Sequence, residues 1–157
     1  MGYAREYRES DAEYIAQHLR TADLGEIQAS AGADPLAAIR FCAAASGILC
    51  TIVGQHPAAI YGVVPVDDIT GAVWLLGTDE LTAPPLRRQF LTESRAYLDR
   101  LHDFRPLLFN YVDERNTLHI RWLKWVGCTF INRHEKYGFE QRPFLEFVRI
   151  KPPCVSP

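Results

Sequence analysis

The chain has 157 residues, of which 48% are hydrophobic and 23% charged, and its formal net charge is −2. This length favours one domain with a real core, which we place at residues 1–151, followed by a short tail at 152–157. The nearly balanced charge gives no signal for nucleic acid as a partner. No apolar run approaches the roughly 20 residues of a membrane-spanning helix, so we expect no membrane insertion.

The cysteines and histidines do not follow a metal-binding pattern. The spacings of Cys42, Cys50, Cys128 and Cys154 match no common zinc motif, and the five histidines are scattered. We therefore predict no metal, and we read the cysteines as buried free thiols. Free thiols indicate a reducing compartment, which is the cytoplasm.

The first half of the chain predicts a strand, three helices and three successive strands. Asp34 and Pro35 are typical of a helix start, as N-cap and first helical residue. Gly54 to Pro57 indicates a hairpin between the first two of the three successive strands. The predicted strands are 3–8, 48–53, 58–64 and 72–76, and the predicted helices begin near residues 10, 23 and 35.

The second half predicts a long helix, a strand, a short helix and two strands. Pro84 and Pro85 open the long helix, which runs to about His102. An apolar run at 107–109 predicts a strand, and Asn116 is a good N-cap for the short helix. Gly127 ends that helix, and strands follow at 128–137 and 144–150. Three meandering strands and a strand–helix–strand crossing indicate a mixed sheet with helices on its faces.

The stretch from Phe109 to Cys128 carries a family resemblance. Strand, Asn-capped short helix, glycine and strand follow one another there, and this pattern resembles the C-terminal part of the GNAT (Gcn-five-related N-acetyltransferase) fold. Residues 110–112 (Asn-Tyr-Val) and 116–124 (Asn-Thr-Leu-His-Ile-Arg-Trp-Leu-Lys) are similar to the small internal virion protein of short-tailed podophages. The resemblance implies an α+β fold with a mixed sheet of about seven mainly antiparallel strands, a central long helix and three to four helices in all.

The GNAT resemblance implies acetyl-CoA in a gap between the fourth and fifth strands. The family holds the diphosphate on a glycine-rich loop whose bare N–H groups face the anion at a helix N-terminus. The corresponding residues 77–88 have no glycine after Gly77, two prolines without N–H groups, and the acidic residues Asp79 and Glu80. The candidate cofactor-binding residues are Leu76, Thr78, Arg87, Arg88 and Asn116.

The resemblance also implies a tyrosine that protonates the departing thiolate, and that position here is Leu123. Leucine has no proton to donate. Tyr111, His119 and Asp79 are the candidate catalytic residues, although a histidine between two apolar residues is more often a packed one. The paired carboxylates at 67–68 and 113–114 are expected to be solvated loop residues.

Two tryptophans on the short helix are relevant to whether the protein binds another protein. Trp122 and Trp125 are expected to pack on the sheet, and one of them is expected to stay partly exposed beside Arg121 and Lys124. An exposed tryptophan flanked by cations suits a protein interface.

Two hypotheses of function follow. The favoured one is an accessory protein of a phage, acting in the virion or the host cytoplasm, with lost or weak acetyltransferase chemistry. Its partners would be other virion proteins or a host protein, and a homodimer is left open. The alternative is an active acetyl-CoA-dependent N-acetyltransferase that modifies a protein or a small amine, since holding the thioester near the amine already accelerates the reaction.

Overall fold

A computed structural model describes residues 2–153. The strands are β1 (Tyr3–Glu6), β2 (Ile48–Val53), β3 (Pro57–Pro65), β4 (Thr70–Gly77), β5 (Leu107–Asp113), β6 (Thr129–Tyr137) and β7 (Arg142–Ile150). The helices are α1 (Glu9–His18), α2 (Thr21–Ala31), α3 (Pro35–Ala45), α4 (Asp79–Thr82), α5 (Leu86–Leu101) and α6 (Thr117–Trp125). The expected strands are all present, with ends shifted by at most a few residues.

The seven strands form one mixed sheet in the order β1-β2-β3-β4-β5-β7-β6. Every neighbouring pair is antiparallel except β4 and β5, which are parallel. The predicted α+β fold with mainly antiparallel strands is confirmed. Six helices lie within residues 2–153, more than the three to four that the resemblance implies. The five helices predicted from the sequence pattern are all present, and residues 79–82 make a short helix of their own.

Helices cover both faces of the sheet, because neighbouring side chains on a strand point to opposite faces. On one face, Ile15 of α1 and Ile39 of α3 pack with Ile60 of β3. On the other face, Leu98 of α5 packs in a cluster with Tyr61, the next residue of β3. No helix among the described residues is long and apolar enough to cross a membrane.

The sheet is split between β4 and β5. Their parallel ladder joins only Thr70–Ala72 to Leu107–Phe109, and β5 then continues alongside β7 for its full length. At the start of the split, the Asn110 side-chain Nδ2 donates to the Val73 carbonyl at 2.8 Å. At the far end, the Arg20 N–H donates to the Gly77 carbonyl at 2.9 Å, so the segment between α1 and α2 pairs with the end of β4.

Two helix starts show where local sequence decides and where it does not. The Asp34 carboxylate accepts the Ala37 N–H at 3.1 Å, which confirms the predicted N-cap of α3. The long helix α5 begins at Leu86 and not at Pro84, because residues 79–82 form α4 and the two prolines connect the helices.

The hairpin between β6 and β7 is held against the end of α2. The N–H groups of Phe139 and Glu140 donate to the carbonyls of Ser30 and Ala29 at 3.1 and 2.9 Å. These carbonyls lie in the last turn of α2, where an α-helix leaves its acceptors unpaired. Gly138 has φ +69°, and its backbone lies directly against α2. The hairpin therefore fixes the position of α2.

The cysteines that the structure describes are free thiols. Cys42, Cys50 and Cys128 are half-buried and form no disulfide. Burial raises the pKa of the Cys42 and Cys128 thiols, which keeps both protonated near neutral pH. Cys154 and the rest of the predicted tail beyond Pro153 lie outside the described residues.

A buried histidine makes stability depend on pH. The His102 side chain is buried, its Nδ1 bonds to the Arg105 carbonyl at 3.1 Å, and its Nε2 has no partner among residues 2–153. Burial lowers the pKa of His102 below its ordinary 6.5, and the Arg149 charge adds to this. The unfolded chain therefore binds this proton more readily than the folded one. The contribution of His102 to stability is complete above pH 6.5 and falls as the pH drops below that value.

We expect the melting temperature of the wild type to fall, relative to that of His102→Gln, between about pH 7 and about pH 5. The raised pKa of Glu26 acts in the opposite direction over this range, but it does so equally in both proteins. Thermal melting of both proteins across that range measures the difference in slope. His18→Gln is the matched control, because His18 is exposed and its replacement should leave the slope unchanged. An equal slope in wild type and His102→Gln would contradict the assignment.

Candidate functional site

A cavity of about 210 Å³ lies in the split between β4 and β5. It touches side chains from both faces of the sheet, because no strand pairing closes the sheet there. The residues along its wall that matter for the site are Glu26, Leu76, Tyr111, His119, Trp122 and Tyr137. The split thus brings together one residue from α2, one each from β4, β5 and β6, and two from α6.

A buried polar cluster closes one end of this cavity. The Asn116 side-chain Nδ2 donates to the Glu26 carboxylate at 2.9 Å and to the Asp23 carboxylate at 3.2 Å. Asp23 also accepts from the Arg20 guanidinium at 3.1 Å and from the Gly77 N–H at 2.9 Å. Glu26 accepts the Asp113 N–H at 3.3 Å. These contacts join α2 to the end of β4 and to the junction between β5 and α6.

The environment of Glu26 keeps its proton near neutral pH. Burial raises the pKa of the Glu26 carboxyl to about 8, the hydrogen bond from Asn116 opposes this shift, and the Asp23 carboxylate adds to it. Burial also lowers the pKa of His119, so its imidazole is neutral at pH 7. Both side chains keep some accessible surface, which faces the cavity. A carboxyl that titrates near neutrality can take or release a proton there.

Asn116 has a different role from the one the sequence predicts. It holds the N-cap position of α6, but its side chain makes no capping hydrogen bond and turns towards Asp23 and Glu26. Two carboxyl groups in this enclosed site need hydrogen-bond partners more than one exposed helix end does, since an unpaired buried polar group is costly. The predicted end of the helix is confirmed, because Gly127 follows the C-cap Val126 with φ +90°.

The candidate catalytic residues do not form one site. Tyr111 and His119 both line the cavity, whereas Asp79 is exposed on α4 and lies outside it. The Tyr111 ring stacks on Tyr137 at 4.7 Å, and burial together with the Glu146 carboxylate raises the pKa of Tyr111. Leu123, at the position of the family's acid, is buried in the core.

The candidate cofactor residues are also dispersed. Leu76 lines the cavity, and Thr78 is buried with both its N–H and its hydroxyl donating to the Ala58 carbonyl, at 2.8 and 3.1 Å. Arg87 and Arg88 are exposed on α5. Arg88 and Asp79 instead border an open groove of about 1070 Å³ beside the β2–β3 hairpin.

The segment after β4 does not fit a diphosphate group. Three amides in this region are already paired: Gly77 donates to Asp23, Thr78 to the Ala58 carbonyl, and Leu81 to the Thr78 carbonyl at 3.2 Å. The Glu80 carboxylate is held in the same region by the N–H groups of Gln55 and His56, at 2.6 and 3.3 Å. A diphosphate needs free donors and no fixed negative charge, whereas here three N–H groups are already used and the Glu80 carboxylate is fixed nearby.

Of the two tryptophans of α6, one is packed and the other is partly exposed, as expected. Trp122 stacks on Phe90 at 5.4 Å, and Trp125 remains 51% exposed. The Arg95 guanidinium lies 4.6 Å from the centre of the Trp125 ring and donates to the Trp125 carbonyl, and the Trp125 indole donates to the Leu91 carbonyl at 3.2 Å. These contacts hold the exposed ring in one position.

Sequence reasoning missed Asp23, Glu26 and the role of Asp113. Asp23 and Glu26 lie three residues apart, hence on one face of α2, and this spacing is the signal that was available. Asp113 was expected to be solvated, but it is buried at the end of β5 and paired with Arg115 at 2.6 Å. Asp23, Glu26 and His119 each offer a ligand atom, and these atoms all lie within 4.8 Å of one another.

Part of the chain matches the model of a known protein family. Residues 62–135, just under half of the chain, match the family model described as "Bacteriophage T7, probable scaffold protein Gp13". The matched segment includes β4, β5, α5 and α6, and so most of the split. No curated protein sequence matches the chain.

Solved structures match over nearly the whole chain. An acetyltransferase of the GNAT family from Bacillus anthracis has a TM-score of 0.69 at 11% identity, covering 96% of this chain and 95% of its own. The putative acetyltransferase yncA from Salmonella typhimurium, solved with its cofactor acetyl-CoA, has a TM-score of 0.69 at 13% identity over 99% and 97%. Ard1 from Thermoplasma volcanium has a TM-score of 0.69 at 17% identity over 97% and 99%. At these identities the likeness shows the fold, and the chain has the fold of the GNAT acetyltransferases.

Proposed function

We propose that this protein is a phage accessory protein that acts in the virion or during its assembly through protein–protein contacts, on a GNAT frame with lost or weak acetyltransferase chemistry. The observation that carries the proposal is the segment after β4. The amides of Gly77, Thr78 and Leu81 are paired within the protein, and the Glu80 carboxylate is held in the same segment by the N–H groups of Gln55 and His56. The similarity of residues 62–135 to a probable scaffold protein supports a role in the particle.

Further support comes from the end of the split. The GNAT resemblance implies that acetyl-CoA would lie in the gap between the fourth and fifth strands. Here the Asn110 side chain donates to the Val73 carbonyl. The Gly77 N–H donates to Asp23, and the Gly77 carbonyl accepts the Arg20 N–H. A ligand that paired with this edge would have to replace these hydrogen bonds, and each replaced bond reduces its net binding energy.

The exposed face of α6 is the surface that we assign to the partner. Trp125, Leu118 and Leu91 are all at least one-third exposed, and Leu118 and Trp125 lie seven residues apart on one face of the helix. Arg121 and Lys124 flank them and are exposed. Large aromatic residues beside cations are typical of the residues that dominate binding energy at protein interfaces.

The alternative, an active N-acetyltransferase, is favoured by the cavity itself. Glu26 titrates near neutral pH, and His119 and Tyr111 line the same space. A general base and a second polar group at a split sheet are what acyl transfer to an amine would need. This hypothesis requires acetyl-CoA to bind, and that requirement separates it from the first.

We expect acetyl-CoA at millimolar concentration to leave the melting temperature unchanged. A ligand present at a hundred times its Kd would stabilise the folded state by about 2.7 kcal/mol, which a thermal shift assay detects readily. Isothermal titration calorimetry with acetyl-CoA and with coenzyme A provides the second measurement. A saturable shift with either ligand would overturn the proposed loss of chemistry and favour the enzyme.

The role in the particle needs a separate measurement. Particles produced with and without this gene should differ in yield or completeness by electron microscopy, and mass spectrometry should detect the chain in or on assembling particles. Trp125→Ala should reduce that association, whereas Tyr3→Ala, at an exposed aromatic on β1, should not. Normal particles without the gene would contradict the proposal.

A further inference from the structure

We infer that Asp23, Glu26 and His119 form a binding site for one divalent transition-metal ion, of which zinc is the prototype. Neither the proposed function nor the acetyltransferase alternative requires a metal. The inference rests on side chains that the fold brings together from two distant parts of the sequence, α2 and α6.

The donor set suits such an ion. Two carboxylates and one imidazole are common zinc ligands, and three protein ligands leave a fourth position open, here towards the cavity. His119 makes no hydrogen bond to any of residues 2–153 that would occupy its ring nitrogens.

The geometry is close to that of a site. The three ligand atoms lie within 4.8 Å of one another. Ligand atoms around one tetrahedral zinc ion, each at about 2.0–2.2 Å, are separated by about 3.3–3.6 Å. Rotations of the Glu26 and His119 side chains that bring the ligand atoms closer together by about 1–1.5 Å complete the site, and the cavity beside them leaves room for this movement.

Asn116 gives an independent indication of a missing ligand. Its side chain is 2% exposed, and its amide lies against both carboxylates, yet its Oδ1 has no partner among the described residues. A buried acceptor without a donor is uncommon in native proteins and needs a cause. With an ion between the carboxylates, the amide can turn so that Oδ1 faces the ion or a water bound to it.

The local charge is also favourable. Asp23 and Glu26 share one amide donor, and Arg20 is the cation that bonds to this pair, on the Asp23 side. Asp113 nearby is neutralised by Arg115. A divalent ion would displace the Glu26 proton and compensate the charge of the two carboxylates, and it would tie α2 to α6 across the open end of the split.

The test uses the full chain without an affinity tag, freed of metal with a chelator. Equilibrium dialysis against zinc chloride, with elemental analysis, should give one zinc per chain. Glu26→Gln and His119→Gln should each weaken binding by at least about tenfold. Glu135→Gln and His18→Gln are the matched controls at exposed positions, and both should bind as the wild type does.

Two measurements on the wild type keep the test decisive if a variant folds poorly. Zinc should shift the imidazole signals of one of the five histidines in nuclear magnetic resonance spectra. Cobalt(II) should give a visible spectrum without a thiolate charge-transfer band. The inference is overturned if no zinc binds, if His119→Gln binds zinc as tightly as the wild type, or if the cobalt spectrum shows thiolate ligation.

Discussion

Replacing Phe144 with alanine is expected to lower the free energy of unfolding by about 3–5 kcal/mol, the range for removing a buried aromatic side chain. Phe144 on β7 is 1% exposed, its ring lies 4.6 Å from that of Tyr137, and it borders the cavity in the split. The space it leaves would join a cavity that is already present, so the surrounding side chains cannot collapse fully into it. Urea denaturation followed by tryptophan fluorescence measures the loss.

Phe41→Ala is the matched control for this experiment. Phe41 on α3 is 77% exposed, so its removal leaves no cavity and should change stability by less than about 0.5 kcal/mol. Equal losses in the two variants would mean that the packing around Phe144 is not as tight as the structure shows.

Gly138→Ala is expected to destabilise the protein by about 2–5 kcal/mol, because backbone strain and overpacking add. Gly138 has φ +69°, a conformation that disfavours alanine. A Cβ at this position would also lie 2.7 Å from the Ala29 carbonyl oxygen and 2.7 Å from the Ser30 Cα. Both are backbone atoms of α2 that cannot move aside as a flexible side chain would, so the hairpin must separate from the helix.

Gly25→Ala provides the comparison. Gly25 lies inside α2, and a Cβ there meets only the end of the Arg115 side chain at 3.9 Å. Alanine is the better helix former by about 1 kcal/mol, so this variant should equal or exceed the wild type in thermal stability. If Gly138→Ala and Gly25→Ala had the same melting temperature, the hairpin would not be fixed to α2 as described.

The link between α2 and the hairpin matters for the candidate site. α2 carries Asp23 and Glu26, and it is held at its end by the hairpin and at its middle by Asn116. Loss of either contact would move the two carboxylates away from His119. Hydrogen exchange of the α2 amides in Gly138→Ala would therefore report on the integrity of the cluster as well as on the fold.

The end of β4 and the polar cluster beside it differ in the chemistry that they offer. At the end of β4, the Gly77 amide is paired with Asp23 and the Glu80 carboxylate is held by two N–H groups. Between α2 and α6, the cavity keeps groups that can ligate an ion or transfer a proton.

Local sequence determined most of the secondary structure. Asp34 and Pro35 begin α3, Gly127 ends α6, and the apolar runs of the strands are where they were predicted. These features depend on neighbours a few residues away, through capping, φ preference and side-chain periodicity. The order of the elements, together with the resemblance at 109–128, was then sufficient to predict the mixed sheet.

Tertiary structure alone decided which polar residues meet. Asn116 was expected to cap its own helix, but it turns to Asp23 and Glu26, some 90 residues away in the sequence. Asp79 lies away from the split, because α4 displaces it. Burial, which sets the pKa of Glu26 and His119, is a property of the packed molecule and of no short stretch of sequence. The sequence by itself therefore determined the frame, and only long-range packing decided the site.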